Sequence, residues 1–129
     1  MNKLIKFVEG ALSQTAVYWG NPQNDGFATE VYDAPIEIPC RWEGKAQYVK
    51  GWDAKGNVIE YIGIIYVKQD LDENGCLFLG TLNDLTGEAY ESPKSMDEVY
   101  IIKQFEKLPV LKSNTEFLRR AFLSLYQYR

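Results

Sequence analysis

Two predicted strands and the turn that joins them decide the fold, and they lie in residues 36–68, IEIPCRWEGKAQYVKGWDAKGNVIEYIGIIYVK. Apolar and polar side chains alternate along 36–43, so that one face carries Ile36, Ile38, Cys40 and Trp42. This alternation is typical of a half-buried strand, and Pro39 within it favours a sheet edge or a bulge. The stretches 45–50 and 57–68 flank Asp53-Ala54-Lys55-Gly56. Because Asp first and Gly last are typical of a tight turn, we predict a β-hairpin.

The second strand of this hairpin, residues 58–68, is apolar on both faces. One face carries Ile62, Ile64 and Tyr66, and the other carries Ile59, Tyr61, Ile65 and Val67. Such a strand is either central in the core or part of a subunit interface. Since a small chain can hardly cover both faces alone, we expect Ile62 and Ile65 to contact another subunit. Trp52, beside the turn, is a further candidate for a contact surface.

Outward from the hairpin, the chain alternates between short predicted strands and polar loops. Residues 15–19, 76–79 and 99–107 favour strands, and 20–34 and 83–98 are long loops. Helical spacing predicts a short helix over 3–12. A capping-box pattern at 113–116 predicts a helix over 115–126, with a strand as the alternative because 117–123 is apolar on both faces. The expected fold is mainly β, a small β-barrel or sandwich in one domain, 1–129, with short N-terminal and C-terminal helical segments and two long loops.

Composition excludes several classes of function. The chain has 129 residues, a net charge of −4 and no histidine, which excludes catalysis and metal binding by imidazole. An acidic chain is not expected to wrap nucleic acid by neutralising phosphates. The two cysteines, Cys40 and Cys76, are too few for a disulfide scaffold, and we interpret them as reduced thiols. No apolar run is long enough to span a membrane, and residues 1–12 do not form a secretory signal.

The motif with the most chemical content is Asp70-Leu71-Asp72-Glu73-Asn74-Gly75. It matches the first half of a calcium-binding EF-hand loop, but Thr81 stands where the loop requires a bidentate Glu. We therefore interpret it as an acidic β-turn whose Asn-Gly supplies a positive φ, and we predict no cofactor, no metal and no enzymatic activity. Arg119 and Arg120, with Lys112 and Arg129, form a basic cluster that either meets a phosphate or an acidic partner or keeps the C-terminal segment soluble.

Several phrases of the sequence resemble a family of phage structural proteins. They are Gln14-Thr15-Ala16-Val17-Tyr18-Trp19-Gly20-Asn21-Pro22-Gln23-Asn24-Asp25-Gly26, Pro39-Cys40-Arg41-Trp42-Glu43, Ile65-Tyr66-Val67, Lys107-Leu108-Pro109-Val110-Leu111-Lys112 and Thr115-Glu116-Phe117-Leu118-Arg119-Arg120-Ala121-Phe122-Leu123. Their order and spacing are similar to those of small minor virion proteins of tailed phages, of the head-closure or stopper type. The resemblance spans about residues 14–123.

The resemblance implies a β-barrel that assembles with itself into a hexameric or dodecameric ring. The ring would lie in the virion neck, with the portal and adaptor above and a tail terminator or tail-tube protein below. The subunits would be made in the cytoplasm of the host bacterium. Genomic DNA would pass through the ring without sequence-specific binding, and a loop would project into the channel. The alternative from the residues alone is a monomeric small β-barrel that binds a small ligand.

One of the two long loops is the candidate for the channel. Loops past which DNA slides should be polar and not basic, because tight phosphate binding would hinder sliding. The loop 83–98 fits this condition, and its candidate channel residues are Asp84, Glu88, Glu91, Lys94 and Asp97. The alternative for both loops is an ordinary exposed connection.

Overall fold

The computed structural model describes residues 12–24, 26, 30–52, 55–109 and 117–126. Their strands are β1 (Gln14–Trp19), β2 (Gln23–Asn24), β3 (Glu30–Val31), β4 (Ile36–Trp52), β5 (Val58–Val67), β6 (Cys76–Leu79), β7 (Tyr100–Pro109) and β8 (Phe117–Leu125). Two short 3-10 helices, Leu82–Asp84 and Pro93–Ser95, lie between β6 and β7. Among the described residues, no helix is long and apolar enough to cross a membrane.

Six of the strands form a closed barrel in the order β1-β4-β5-β8-β7-β6, with antiparallel pairing throughout. β1 closes the barrel by pairing with β4 on one side and with β6 on the other. The remaining two strands, β2 and β3, form a separate two-stranded sheet. The fold is therefore mainly β and a small β-barrel, as the sequence predicts.

Side chains fill the barrel interior. The buried cluster there consists of Ala16, Tyr18, Ile38, Cys40, Ile65, Val67, Leu71, Leu77, Ile102, Ala121 and Leu123. The alternation along β1 also buries its outward-pointing residues, Val17 and Trp19, in a second cluster with Cys76 and Val99. Leu82, Leu85 and Met96, from the segment between β6 and β7, cover this second cluster. β1 is consequently buried on both faces.

The predicted C-terminal helix is wrong, and the strand alternative is right. Residues 117–125 form β8, which pairs with both β5 and β7. Ala121 and Leu123 point into the barrel at a spacing of two residues, which is the period of a strand. The alternate residues Leu118, Arg120 and Phe122 are half-buried, so the outer face of β8 is partly covered as well. The helix predicted over 3–12 lies outside the described residues except for Leu12, which belongs to neither a helix nor a strand.

The predicted hairpin is confirmed by the antiparallel pairing of β4 with β5. The stretches 36–43 and 45–50 belong to one strand of 17 residues, with a shift in pairing register between Gly44 and Val49. Pro39 precedes Cys40, the first residue of β4 that pairs with β5, so its missing N–H costs that ladder no bond. Asp53 and Ala54 of the turn lie outside the described residues, and Gly56 has a φ of 86°.

Candidate interaction surfaces

β4 and β5 continue as a two-stranded ribbon past the point where β5 leaves the barrel wall. β5 pairs with β8 from Val67 to Gly63, whereas it pairs with β4 as far as Val58 opposite Trp52. We call residues 45–52 and 55–62 the ribbon. At its base Gly44 is opposite Gly63, and an added Cβ at either position would lie 3.2 Å or 3.1 Å from the Trp42 indole. The two glycines therefore leave room for this indole where the ribbon begins.

The ribbon exposes a set of large apolar side chains. They are Tyr48, Val49, Trp52 and Val58. Trp52 is 70% exposed and its cross-strand partner Val58 is 52% exposed, so an apolar pair lies open at the end of the ribbon. Exposed aromatic and aliphatic side chains that cluster in this way are typical of a surface that contacts a partner. Trp52 is therefore accessible to a partner, and its contact with one stays a prediction.

A groove of about 1020 Å³ separates the ribbon from the ends of β7 and β8. Its walls are Tyr48, Lys50, Val58, Ile59 and Glu60 of the ribbon and Ile101, Lys103, Ser124, Leu125 and Tyr126 opposite. Two hydrogen bonds tie the walls together: the Ser124 hydroxyl donates to the Glu60 carbonyl at 2.7 Å, and the Leu125 N–H donates to the Tyr48 hydroxyl at 3.3 Å. The base of the ribbon is thus held against β8.

A second cleft, of about 710 Å³, lies between β3 and the segment 90–94. We call it the acidic cleft, and its lining is Glu30, Val31, Tyr32, Ala34, Tyr90, Glu91, Ser92, Pro93, Lys94 and Tyr126. The Trp19 indole N–H donates to the Tyr90 carbonyl at 3.2 Å and so fixes one side of the cleft to β1. The Tyr32 hydroxyl donates to the Glu30 carboxylate at 2.8 Å. Burial raises the pKa of both Tyr32 and Tyr126 above the usual value for a phenol.

The predicted interface residues on β5 have different surroundings. Ile65 is 0% exposed in the barrel interior, so the expectation that it contacts another subunit is wrong. Ile62 is half-buried where the ribbon begins. The apolar residues of β5 therefore have two different environments. Ile65 and Val67 belong to the barrel core, whereas Val58 lies on the exposed ribbon.

Arg119 and Arg120 of the basic cluster each bind a carboxylate of the same chain. The Arg119 Nε donates to Asp70 at 2.7 Å, and the Arg120 Nε donates to Glu106 at 2.7 Å. The hydrogen bond from Arg119, with Lys107 nearby, lowers the pKa of the Asp70 carboxyl below its usual range. A phosphate or an acidic partner would have to compete with these carboxylates.

The loop 83–98 is anchored to the barrel rather than extended from it. Ala89 and Pro93 are fully buried, so this polar loop also contributes side chains to the interior of the protein. Asp84 accepts hydrogen bonds from both the backbone N–H and the hydroxyl of Thr81. The other channel candidates, Glu88, Glu91, Lys94 and Asp97, are exposed on the surface of this anchored segment. Their place beside a DNA channel stays a prediction.

The acidic turn 70–75 uses each carboxylate for a different structural contact. Asp70 pairs with Arg119, and Asp72 accepts from the Tyr18 hydroxyl at 3.2 Å and the Asn21 N–H at 2.8 Å. Glu73 accepts from the Phe105 N–H at 3.0 Å. Asn74 has a φ of 69°, which confirms the turn interpretation. Within the described ranges, no three His, Cys, Asp or Glu side chains lie together as metal ligands would.

Both cysteine side chains are buried in the two apolar clusters. Burial raises the pKa of the Cys40 thiol to about 11 and that of the Cys76 thiol to about 12. At these pKa values neither thiol is an activated nucleophile at neutral pH. Neither side chain is exposed to an external reagent.

In comparisons with known proteins, no family model, no curated protein and no solved structure matches this chain.

Proposed function

We propose that this protein is a structural subunit of a tailed-phage neck, a head-closure ring component that joins the portal and adaptor to the tail. The observation that carries the proposal is the ribbon, which places the exposed pair Trp52 and Val58 at the end of an arm based on a closed barrel. An apolar pair in this position gives a folded monomer little stability, but it suits contact with another chain. The resemblance of residues 14–123 to head-closure proteins supports a ring in the virion neck as the assembly.

The packed interior supports an assembly role over the alternative of a small-ligand barrel. A ligand-binding barrel keeps space inside its wall, whereas eleven buried side chains fill this interior. The groove beside the ribbon and the acidic cleft share no residue with that cluster. Both are open surfaces of the kind that another protein chain can cover.

The experiment for this proposal is to purify the chain alone and with the portal and adaptor proteins encoded in the same genome. Native mass spectrometry and negative-stain electron microscopy then report the assembly. We expect rings of six or twelve copies. Trp52→Asp should leave a folded monomer, and the matched control Leu79→Asp should still assemble, because Leu79 is an exposed residue of β6, which pairs with neither ribbon strand. A monomer at every concentration, alone and with both partners, would rule out the ring.

A further inference from the structure

We infer that the ribbon of one copy docks into the acidic cleft of the next copy, with Trp52 against Val31 and Tyr90. The inference rests on the proposed ring and names the two surfaces that would build it. Each surface exposes aromatic and aliphatic side chains, and the two carry opposite charge. The contact therefore joins two different surfaces, the ribbon of one copy and the acidic cleft of another.

The acidic cleft has the chemistry to receive an indole. Three tyrosines, Tyr32, Tyr90 and Tyr126, line it, and the exposed side chain of Val31 adds an aliphatic contact. Aromatic walls favour an aromatic guest, because offset and edge-to-face ring contacts add to the area that is buried. The cleft volume of about 710 Å³ leaves room for a large side chain.

The charges of the two surfaces are complementary. Among its described residues the ribbon carries Lys45, Lys50 and Lys55 against Glu60, so it is net positive within a chain of net charge −4. The acidic cleft presents two carboxylates, Glu30 and Glu91, against one cation, Lys94, so it is net negative. Opposite charge around an apolar centre orients a partner and speeds its association.

The geometry makes the contact head-to-tail. The ribbon and the acidic cleft are different surfaces of one barrel, with Tyr126 lining both the cleft and the groove beside the ribbon. From Gly63 to Val58 the ribbon extends roughly 17 Å, at the rise of a β-strand, so its end can reach a neighbouring molecule. Repeating one contact between two different surfaces closes a ring when the rotation permits. A tip-to-tip contact would instead stop at a dimer.

The first experiment is disulfide cross-linking between two single variants that carry different mass tags, Trp52→Cys and Val31→Cys. The native thiols do not interfere, because Cys40 and Cys76 are both buried. Because Trp52→Cys itself weakens the contact, the mixture is oxidised at a protein concentration well above the dissociation constant of this variant. The two differently tagged chains should then join, and each variant alone should stay mostly unlinked. Leu108→Cys, an exposed position on β7 outside the cleft, is the control and should not join to Trp52→Cys.

The second experiment reverses the charges. Lys50→Glu and Glu91→Lys should each weaken self-association, because each places like charges across the contact. Mixing the two variants should restore it, since every contact in an alternating ring then pairs opposite charges. We expect Trp52→Ala to raise the dissociation constant at least about 30-fold, as for a central interface residue, and 0.5 M salt to weaken association further.

The outcomes separate this inference from the proposed function. A cross-link between Trp52→Cys and Val31→Cys, together with rescue by mixing, supports the docking. Rings that form without that cross-link, or with only Trp52→Cys joined to itself, overturn the docking and leave the ring role standing. A chain that stays monomeric alone and with its neck partners overturns both.

Discussion

Gly75 lies so close to the backbone of Trp19 that a Cβ at this position would be 2.9 Å from the Trp19 carbonyl oxygen and 3.0 Å from that of Asp72. The same turn is bonded to β7: the Asn74 N–H donates to the Ile102 carbonyl, and the Ile102 N–H donates to the Gly75 carbonyl. The acidic turn is therefore a clasp between β1 and β7, and glycine is the residue that fits it.

Gly75→Ala should destabilise the fold by roughly 1–3 kcal/mol, because two backbone oxygens cannot move aside as a flexible side chain would. Gly87→Ala is the matched control, since a Cβ at Gly87 meets nothing within 4 Å. This control should be neutral or slightly stabilising. Urea unfolding followed by tryptophan fluorescence measures both changes, and equal stabilities of the two variants would contradict the clasp.

The two buried thiols should make the fold sensitive to alkali. Their pKa values, about 11 for Cys40 and about 12 for Cys76, lie above those of thiols in the unfolded chain, which are near 8.5. The unfolded state therefore loses its thiol protons first, so the free energy of unfolding falls as the pH rises above about 8.5, by up to about 1.4 kcal/mol per pH unit for each thiol.

Urea titrations at pH 8.0, 8.5, 9.0 and 9.5 test this dependence. The double variant Cys40→Ala with Cys76→Ala is the control, and it should be less stable overall but lose stability less steeply with pH. Parallel slopes for the two proteins would show that the thiols do not cause the dependence.

Ile65→Asp should abolish folding, because it places an unpaired carboxylate in the filled barrel. Ile36→Asp makes the same chemical change at a residue that is 49% exposed and should cost less than about 1 kcal/mol. Circular dichroism and thermal melting report the difference. A folded Ile65→Asp protein would contradict the assignment of Ile65 to the core.

The Asp70–Arg119 and Glu106–Arg120 ion pairs should differ in their contribution to stability. Asp70 is well exposed, so Arg119→Ala should cost at most about 1 kcal/mol at neutral pH. Because the pKa of Asp70 is lowered in the folded state, this contribution is present above the unfolded pKa of about 3.9 and is lost as the pH falls below it.

Arg120→Ala should cost more, roughly 1–3 kcal/mol, because the half-buried Glu106 would lose its charged donor. Unfolding of both variants at pH 7 and pH 3 measures the difference. An Arg119→Ala effect that is the same at both pH values would argue against the Asp70 contact.

The anchored loop 83–98 should contribute to the stability of the barrel. Ala89→Asp should destabilise strongly, because Ala89 has no exposed surface and a buried carboxylate there has no partner. Its neighbour Glu88 is exposed, so Glu88→Ala should be neutral. Thermal melting of both variants checks this, and an unchanged melting temperature for Ala89→Asp would show that the segment is only loosely attached.

The fold was predictable where a strand has one buried face or a clear turn. Alternation at 36–43 and the Asp-to-Gly spacing at 53–56 predict β4, β5 and their pairing. The C-terminal segment was not predictable in this way, because Phe117, Leu118, Ala121 and Phe122 suit a helix and a doubly paired strand equally. Only the presence of β5 and β7 on its two sides decides for the strand.

The interaction surfaces were less predictable than the fold. An exposed Trp52 follows from its place beside a turn, but Val31 and Tyr90 line one cleft only because β3 and the segment 90–94 lie beside each other in the fold. The burial of Ile65 and the exposure of Val58 depend on where β5 passes from barrel wall to ribbon. No local pattern in 58–67 marks that point except Gly63, whose partner Gly44 is distant in the sequence.

The facing glycines at the base of the ribbon separate the barrel, whose interior decides whether the chain folds, from an arm that ends in the exposed pair Trp52 and Val58. Beyond Gly44 and Gly63, substitutions at Trp52 or Val58 touch no residue of the barrel interior. The exposed side chains at the end of the ribbon can therefore be replaced without a loss of stability, whereas the close-packed interior of the barrel tolerates few substitutions.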